Sequence, residues 1–312
     1  MRLAVADVVS PSYFPAAAAV TLGFFAAEGL DVSLVHISPL DDCVAALRDG
    51  AVDFIGASAH APLLAFPEWA GVKLLCAQAQ GTYWVLVMRK DLCIARGDLR
   101  ALRGRRIAAV PAVGAALRRL LLAAGLDPAA EAIEIGTPPG GLAPGVNFGV
   151  AAARALEDGA IDGFFANAMG AEVAVRRGIG TIVLDIRRGD GPKEAFHYTL
   201  PAIAATDRLL AEAPDKAAAA VRAIVRTQAA LRQDPERASD VGRKLFPAFE
   251  ATLIAELIRR DLPYYDAALS PAFIAAMNRY ARAIGLLHGE VDYESIVATR
   301  FRPLWRPDAT PG

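Results

Sequence analysis

At 312 residues the chain exceeds the ~100–200 residues of one ordinary domain and fits two lobes with room for a cleft. Its 33 basic and 34 acidic side chains nearly cancel, and 54% of its residues are hydrophobic, a globular composition without the basic excess that a phosphate backbone demands, so no nucleic-acid partner is expected. Three cysteines, Cys43, Cys76 and Cys93, are odd in number and form no CxxC pair, which excludes a readable disulfide framework or zinc knuckle and leaves them as small apolar residues.

Residues 13–27 are apolar and rich in small side chains, like the hydrophobic part of a secretory signal. Only Arg2 supplies a basic leader, however, Asp7 interrupts the early apolar run, and the stretch passes into Glu28-Gly29-Leu30, a helix end before a strand. The expectation is therefore that no export address is present. No segment reaches the ~18 uninterrupted apolar residues of a membrane span, so the chain is not expected to be an integral membrane protein.

The first ninety residues alternate short apolar strands with amphipathic helices, the pattern of a parallel sheet covered by helices on both faces. Strands are expected at 3–8, 31–37, 52–57, 73–77 and 83–89. Between them fall a helix over 15–28 ended near Gly29, another over 41–49 ended by Gly50, and a third with Pro62 in its first turn. The pattern then restarts with a strand over 105–110, a turn over 111–114 and a helix over 115–124 closed by Gly125. Strands at 132–135, 163–166 and 181–185 follow, with helices at 150–158 and 169–177 and a Pro/Gly loop over 137–145. Gly189 to Pro192 breaks the chain, and from Asp207 onward it reads as helical, punctuated by Pro214, Pro235, Pro247, Pro263 and Pro271.

Three groups of residues carry a resemblance: the opening strand with Ser10-Pro-Ser-Tyr-Phe-Pro15, the run Gly23-Phe-Phe-Ala-Ala-Glu-Gly-Leu-Asp-Val32, and Ala45-Ala-Leu-Arg-Asp-Gly-Ala-Val-Asp-Phe-Ile-Gly-Ala-Ser58. With Pro263-Tyr-Tyr-Asp266, Gly285-Leu-Leu287 and Val291-Asp-Tyr293, they make the chain resemble the periplasmic solute-binding proteins of the nitrate, sulfonate and taurine ABC importers, including the branch that binds thiamine-pyrimidine precursors. The resemblance implies an α/β, two-lobed periplasmic-binding-protein (type II) fold with two interlobe crossings and a helical C-terminal tail. It implies one lobe from residues 1–86 and 190–312, a second inserted at 87–189, and a ligand in the cleft on which hinged lobes close. An ABC permease and its ATPase would be the partners and the chain a monomer. The family places such proteins in the periplasm, and the expected lack of an export address makes the cytoplasm the competing location.

In open parallel sheets a ligand sits beyond the carboxyl ends of the strands, where loops and helix N-termini converge. After the first strand this selects Ser10, Ser12, Tyr13 and Phe14, which offer hydroxyls and aromatic faces, although Phe14 reads equally as core and Ser10 as a cap. After the third, Ser58 and His60 precede a helix whose free N–H groups suit a carboxylate, sulfonate or carbonyl; a lone histidine is as often a surface or capping residue. Asp42 opens a helix beside Asp41, where first-turn charge is the simpler account. Gln80, Tyr83 and Trp84 stand at the first crossing, with Trp84 the expected stacking residue. The second lobe offers backbone donors at Ala112 and Gly114 and the amide of Asn167. His197 lies just past the second crossing, where packing explains it equally well. No candidate loop carries an Arg or Lys cluster, so the lining favours a planar ligand, neutral or singly anionic, with a pyrimidine-like compound or an aromatic acid ahead of taurine.

The same fold serves cytoplasmic enzymes, among them the thiamine-pyrimidine synthase and menaquinone-pathway enzymes that act on chorismate-derived acids. The synthase's clustered cysteines are missing here. His36, His60, His197 and His288 lack metal-ligand spacing, and no P-loop, nucleophile elbow or dinucleotide fingerprint occurs, so neither cofactor nor metal is expected. An eliminating or decarboxylating enzyme would have His60 or Asp42 as its acid or base. A cytoplasmic ligand sensor is the third reading.

Overall fold

A computed structural model describes residues 1–138 and 147–306, so residues 139–145 of the expected Pro/Gly loop lie outside the described residues. The chain divides into two compact units, Met1–Gly81 with Thr199–Gly312, and Thr82–Tyr198. Elements are numbered along the whole chain.

The sheet of the first unit holds β1 (Arg2–Val5), β2 (Ser33–His36), β3 (Phe54–Ser58), β4 (Val72–Ala77) and β10 (Pro201–Thr206) in the order β2-β1-β3-β10-β4. β1 runs parallel to β2 and β3, and β10 is antiparallel to β3 and β4, which corrects the expected parallel sheet to a mixed one. β10 is the strand missing from the sequence reading. Three of its six residues are alanine, which has little strand preference, and its proline takes the first position, where a missing N–H is tolerated.

Around this sheet lie α1 (Phe14–Thr21), α2 (Phe24–Ala27), α3 (Leu40–Arg48), α7 (Asp207–Glu212), α8 (Pro214–Gln233), α9 (Arg237–Leu245), α10 (Ala248–Asp261), α11 (Pro271–Ala283) and α12 (Tyr293–Ile296). The expected helix over 15–28 is two helices, because Gly23 adopts φ +80° and turns the chain between them. Pro62 opens a 3₁₀ turn, Ala61–Leu64, in place of a longer helix. The Gly-Phe-Phe-Ala-Ala-Glu run is built for packing: Phe25 is buried, and the carboxylate of Glu28 accepts from Arg222 Nε at 2.6 Å and Arg226 Nη1 at 2.8 Å, both on α8. Burial alone would raise the Glu28 carboxyl, but the hydrogen bonds from Arg226 and Arg222 outweigh it and hold the group below its ordinary value.

At the end of β4 the fully buried Gln78 closes the middle of the unit. Its Oε1 accepts the N–H of Ala16 at 3.0 Å, and its Nε2 donates to the Ala202 carbonyl of β10 at 3.2 Å. Tyr13 provides no side-chain cap for α1, so Gln78 satisfies an orphan first-turn donor of that helix from 62 residues away. Gln228 Nε2 on α8 donates in turn to the carbonyls of Ala77 (3.1 Å) and Gln78 (2.9 Å).

The second unit repeats the plan with β5 (Trp84–Arg89), β6 (Arg106–Ala108), β7 (Glu134–Gly136), β8 (Gly163–Asn167) and β9 (Gly180–Asp185), ordered β7-β6-β8-β5-β9. β6 is parallel to β7 and β8, and β5 runs antiparallel to β8 and β9. Its helices are α4 (Pro111–Ala123), α5 (Phe148–Glu157) and α6 (Ala168–Arg176). The turn expected over 111–114 is instead the first turn of α4, since a proline suits the first helical position. α5 and α6 touch backbone to backbone: a Cβ placed on Gly170 would stand 2.5 Å from Gly149 Cα.

Two outcomes follow. Gln78→Leu leaves the Ala16 N–H buried and unpaired, takes the side-chain bond from the Ala202 carbonyl, and lowers unfolding free energy by about 2 kcal/mol, read from the urea midpoint. Gly170→Ala forces α5 from α6 and costs about 2 kcal/mol in the same assay, whereas Gly178→Ala, at an open turn, costs less.

Candidate functional site

In the first unit β1, β3 and β4 end, and β10 begins, along one edge of the sheet, as their pairing directions require. Four of the anticipated polar residues gather on the segments leaving that edge. Ser10, Ser12, Ser58 and His60 are each no more than 4% exposed. Ser10 Oγ accepts the N–H of Ser12 at 3.2 Å, which shapes a tight local turn. Tyr13 is buried beside them, while Phe14 stands edge-on to Phe246 with centroids 6.3 Å apart and belongs to the core.

His60 is the chemically unusual member. Its ring stands edge-on to Tyr280 with centroids 5.4 Å apart, and its Nδ1 is buried without a hydrogen-bond partner. Burial pushes the imidazole down to about 4, so the ring is neutral at physiological pH and offers one donor and one acceptor without charge.

Two residues of this unit do other work. Asp42 is exposed on the first turn of α3, where its charge complements the helix dipole. Gln80 Nε2 donates to the carbonyls of Asp266 (2.9 Å) and Ala268 (2.8 Å), tying down the segment before α11.

The equivalent edge of the second unit gathers the ends of β6, β7, β8 and β9 with the start of β5. Trp84 pairs with Asn167 across β5 and β8. Tyr83 meets Trp84 at 5.6 Å and Trp84 meets Phe165 at 5.9 Å, all edge-on, and Tyr83 and Trp84 are at most 5% exposed. Asn167 caps α6, its Oδ1 accepting the N–H groups of Met169 (2.9 Å) and Gly170 (3.4 Å). Gly114 is corrected as a backbone donor: its N–H is taken by the Val110 carbonyl at 2.8 Å, inside α4. Ala112, half-buried, keeps its place in the first turn. His197 closes the 3₁₀ turn Lys193–His197, half-buried and edge-on to Phe196 at 5.1 Å.

Sequence reasoning passed over Arg187. It lies two residues beyond β9, is 3% exposed, and its guanidinium carbon stands 5.7 Å from the centre of the Tyr83 ring. Burying a guanidinium costs several kcal/mol, and an aromatic face returns about 0.5–2 of it. The only signal in sequence was a basic pair, Arg187-Arg188, which reads as a solvated strand end. Among the described residues no group of three or more His, Cys, Asp or Glu side chains could hold a metal ion, and no helix is long and apolar enough to cross a membrane.

Comparison with known proteins finds the NMT1/THI5-like family model matching residues 10–238. No curated protein matches the sequence. Among solved structures, the chain is similar to the periplasmic aliphatic sulphonate binding protein SsuA from Escherichia coli, with a TM-score of 0.70 at 16% identity over 100% of this chain and 94% of that one. It is similar to the periplasmic nitrate-binding protein NrtA from Synechocystis PCC 6803, with 0.62 at 15% over 82% and 67%. It is also similar to the desulfurization enzyme DSZB, with 0.64 at 16% over 96% and 97%. At these identities the likeness establishes the fold, that of the two-lobed periplasmic binding proteins. The family match spans more than two thirds of the sequence, and the chain belongs to the NMT1/THI5-like family.

Proposed function

We propose that the chain is a monomeric solute-binding protein that takes up a small planar organic ligand, neutral or singly anionic, for an ABC permease and its ATPase. A pyrimidine-like compound or an aromatic acid is the favoured ligand. The observation that carries this reading is the buried polar set Ser10, Ser12, Ser58 and His60 at the strand ends of the first unit, in which the His60 Nδ1 has no partner from the protein. A buried ring nitrogen left unpaired costs about 1–3 kcal/mol, and a ligand hydrogen bond recovers it. Sulphonate- and nitrate-binding neighbours with the same fold support the reading, as does the family's membership.

An enzyme on this fold is the second reading, and the likeness to the desulfurization enzyme DSZB favours it. His60, neutral and with a free ring nitrogen, would then be the base.

A thermal-shift panel of pyrimidines, aromatic acids, sulfonates and chorismate-like acids, with mass spectrometry of each stabilising compound after incubation, separates the two. A binding protein raises its melting temperature by several degrees and returns the compound unchanged. A chemically altered compound overturns the proposal in favour of turnover, and His60→Phe then abolishes it.

The same histidine gives a pH signature. Its folded-state value lies below the ordinary 6.5, so on acidification the unfolded chain takes up the proton first. The His60 contribution to stability is complete above about pH 6.5 and falls away as pH drops toward about 4, by about 3 kcal/mol in all. His60→Phe flattens the stability profile across that window in urea titrations at stepped pH.

A further inference from the structure

Beside β4, the edge strand of the first unit, lies a cavity of about 650 Å³ whose lining includes none of Ser10, Ser12, Ser58 and His60. Its walls are fastened to the end of that strand. Trp305 Nε1 donates to the Leu75 carbonyl at 2.9 Å, Gln228 Nε2 donates to the Ala77 carbonyl at 3.1 Å, and Gln80 holds the carbonyls of Asp266 and Ala268. Three arginines line it, Arg232 from α8 and Arg302 and Arg306 from the segment around Trp305, and among the described residues none of the three enters an ion pair. Asp266, the one acid among the lining residues, accepts the N–H of Ala268 at 2.9 Å instead of an arginine. Three guanidinium charges less one carboxylate leave two positive charges uncompensated. Ser270 and Pro271, which open the 13-residue α11, also line the cavity, so the positive end of that helix faces it.

We propose that this cavity is a second ligand site, separate from the strand-end residues, and that it takes the phosphate ester of a small organic molecule. A phosphate monoester carries close to two negative charges at neutral pH, which is the charge the lining leaves open. Guanidinium forks match phosphate oxygens in geometry as well as charge, and a helix N-terminus favours the same group. The volume falls within the ~300–1,000 Å³ of small-molecule sites and exceeds what a bare phosphate fills. Leu269, Pro271 and the Trp305 ring, which its bond to Leu75 holds in place, give the organic part an apolar wall. The inference is independent of the ligand proposed for the strand ends and stands or falls without it.

The test is isothermal titration of the full chain with phenyl phosphate and with inorganic phosphate at about pH 8, where the ester has lost its second proton. It compares the wild type, the double variant Arg232→Gln with Arg302→Gln, and His60→Phe. The wild type binds a single equivalent of phenyl phosphate, about tenfold more tightly than inorganic phosphate. The double variant weakens phenyl phosphate at least about tenfold, and His60→Phe leaves it within about twofold. Should the double variant fail to fold by circular dichroism, Arg306→Gln carries the test, and an unchanged affinity in it overturns the inference. No binding of phenyl phosphate to the wild type, or full affinity in the folded double variant, overturns the inference and leaves the strand-end reading untouched. Loss of phenyl phosphate binding in His60→Phe moves the ester to the strand ends and equally overturns it. Inorganic phosphate bound as tightly as phenyl phosphate overturns the assignment of an ester.

Discussion

The side chain of Gln78 sits where four segments distant in sequence meet, and a buried amide in that position has to be satisfied at both ends or it opposes folding. It is satisfied by the first turn of α1 on one side and by β10 on the other, and its own carbonyl is held by Gln228 of α8. Gly56 on β3 keeps this space tight, because a Cβ there would come 3.2 Å from Gln78 Nε2 and 3.3 Å from Ala16 Cβ, so the neighbours would have to give by a few tenths of an ångström. The consequence reaches the strand-end residues. By fixing the start of α1 against the end of β4, Gln78 anchors the chain directly after the turn bearing Ser10 and Ser12.

Much of this architecture is legible in sequence because it follows from short-range rules. Apolar runs ended by Gly29, Gly50 and Gly125 gave strands and helices close to their observed bounds, and all three glycines do adopt positive φ. The exceptions share a cause. β10 is chosen as a strand by the gap between β3 and β4 that it fills, since its alanines carry no strand preference of their own. The break at Gly23 was hidden because apolar residues on both sides of it sustain a helical pattern that only backbone geometry interrupts.

Site residues were harder to read, for a related reason. Chemistry-bearing residue types at strand ends are a sound first list, but each has a structural use that the sequence does not rank. Asn167 is a helix cap, Gln80 a tether, Phe14 core and Asp42 a first-turn charge. Arg187 shows the opposite failure. Nothing local distinguishes it from Arg188, and only the depth each reaches in the fold separates them, Arg187 buried and Arg188 half-buried.

The position of β10 also bears on the order in which the protein can be made. The second unit is one unbroken stretch, Thr82–Tyr198, and its strands β5 to β9 are all synthesised before Pro201 is added. The first unit cannot complete its sheet until that point, because β10 lies between β3 and β4. During synthesis β3 and β4 therefore wait with open, apolar edges through more than a hundred residues of intervening chain, the state in which strands are most prone to pair with the wrong partner. A nascent chain of this design is exposed to misassembly in the half that starts first and finishes last.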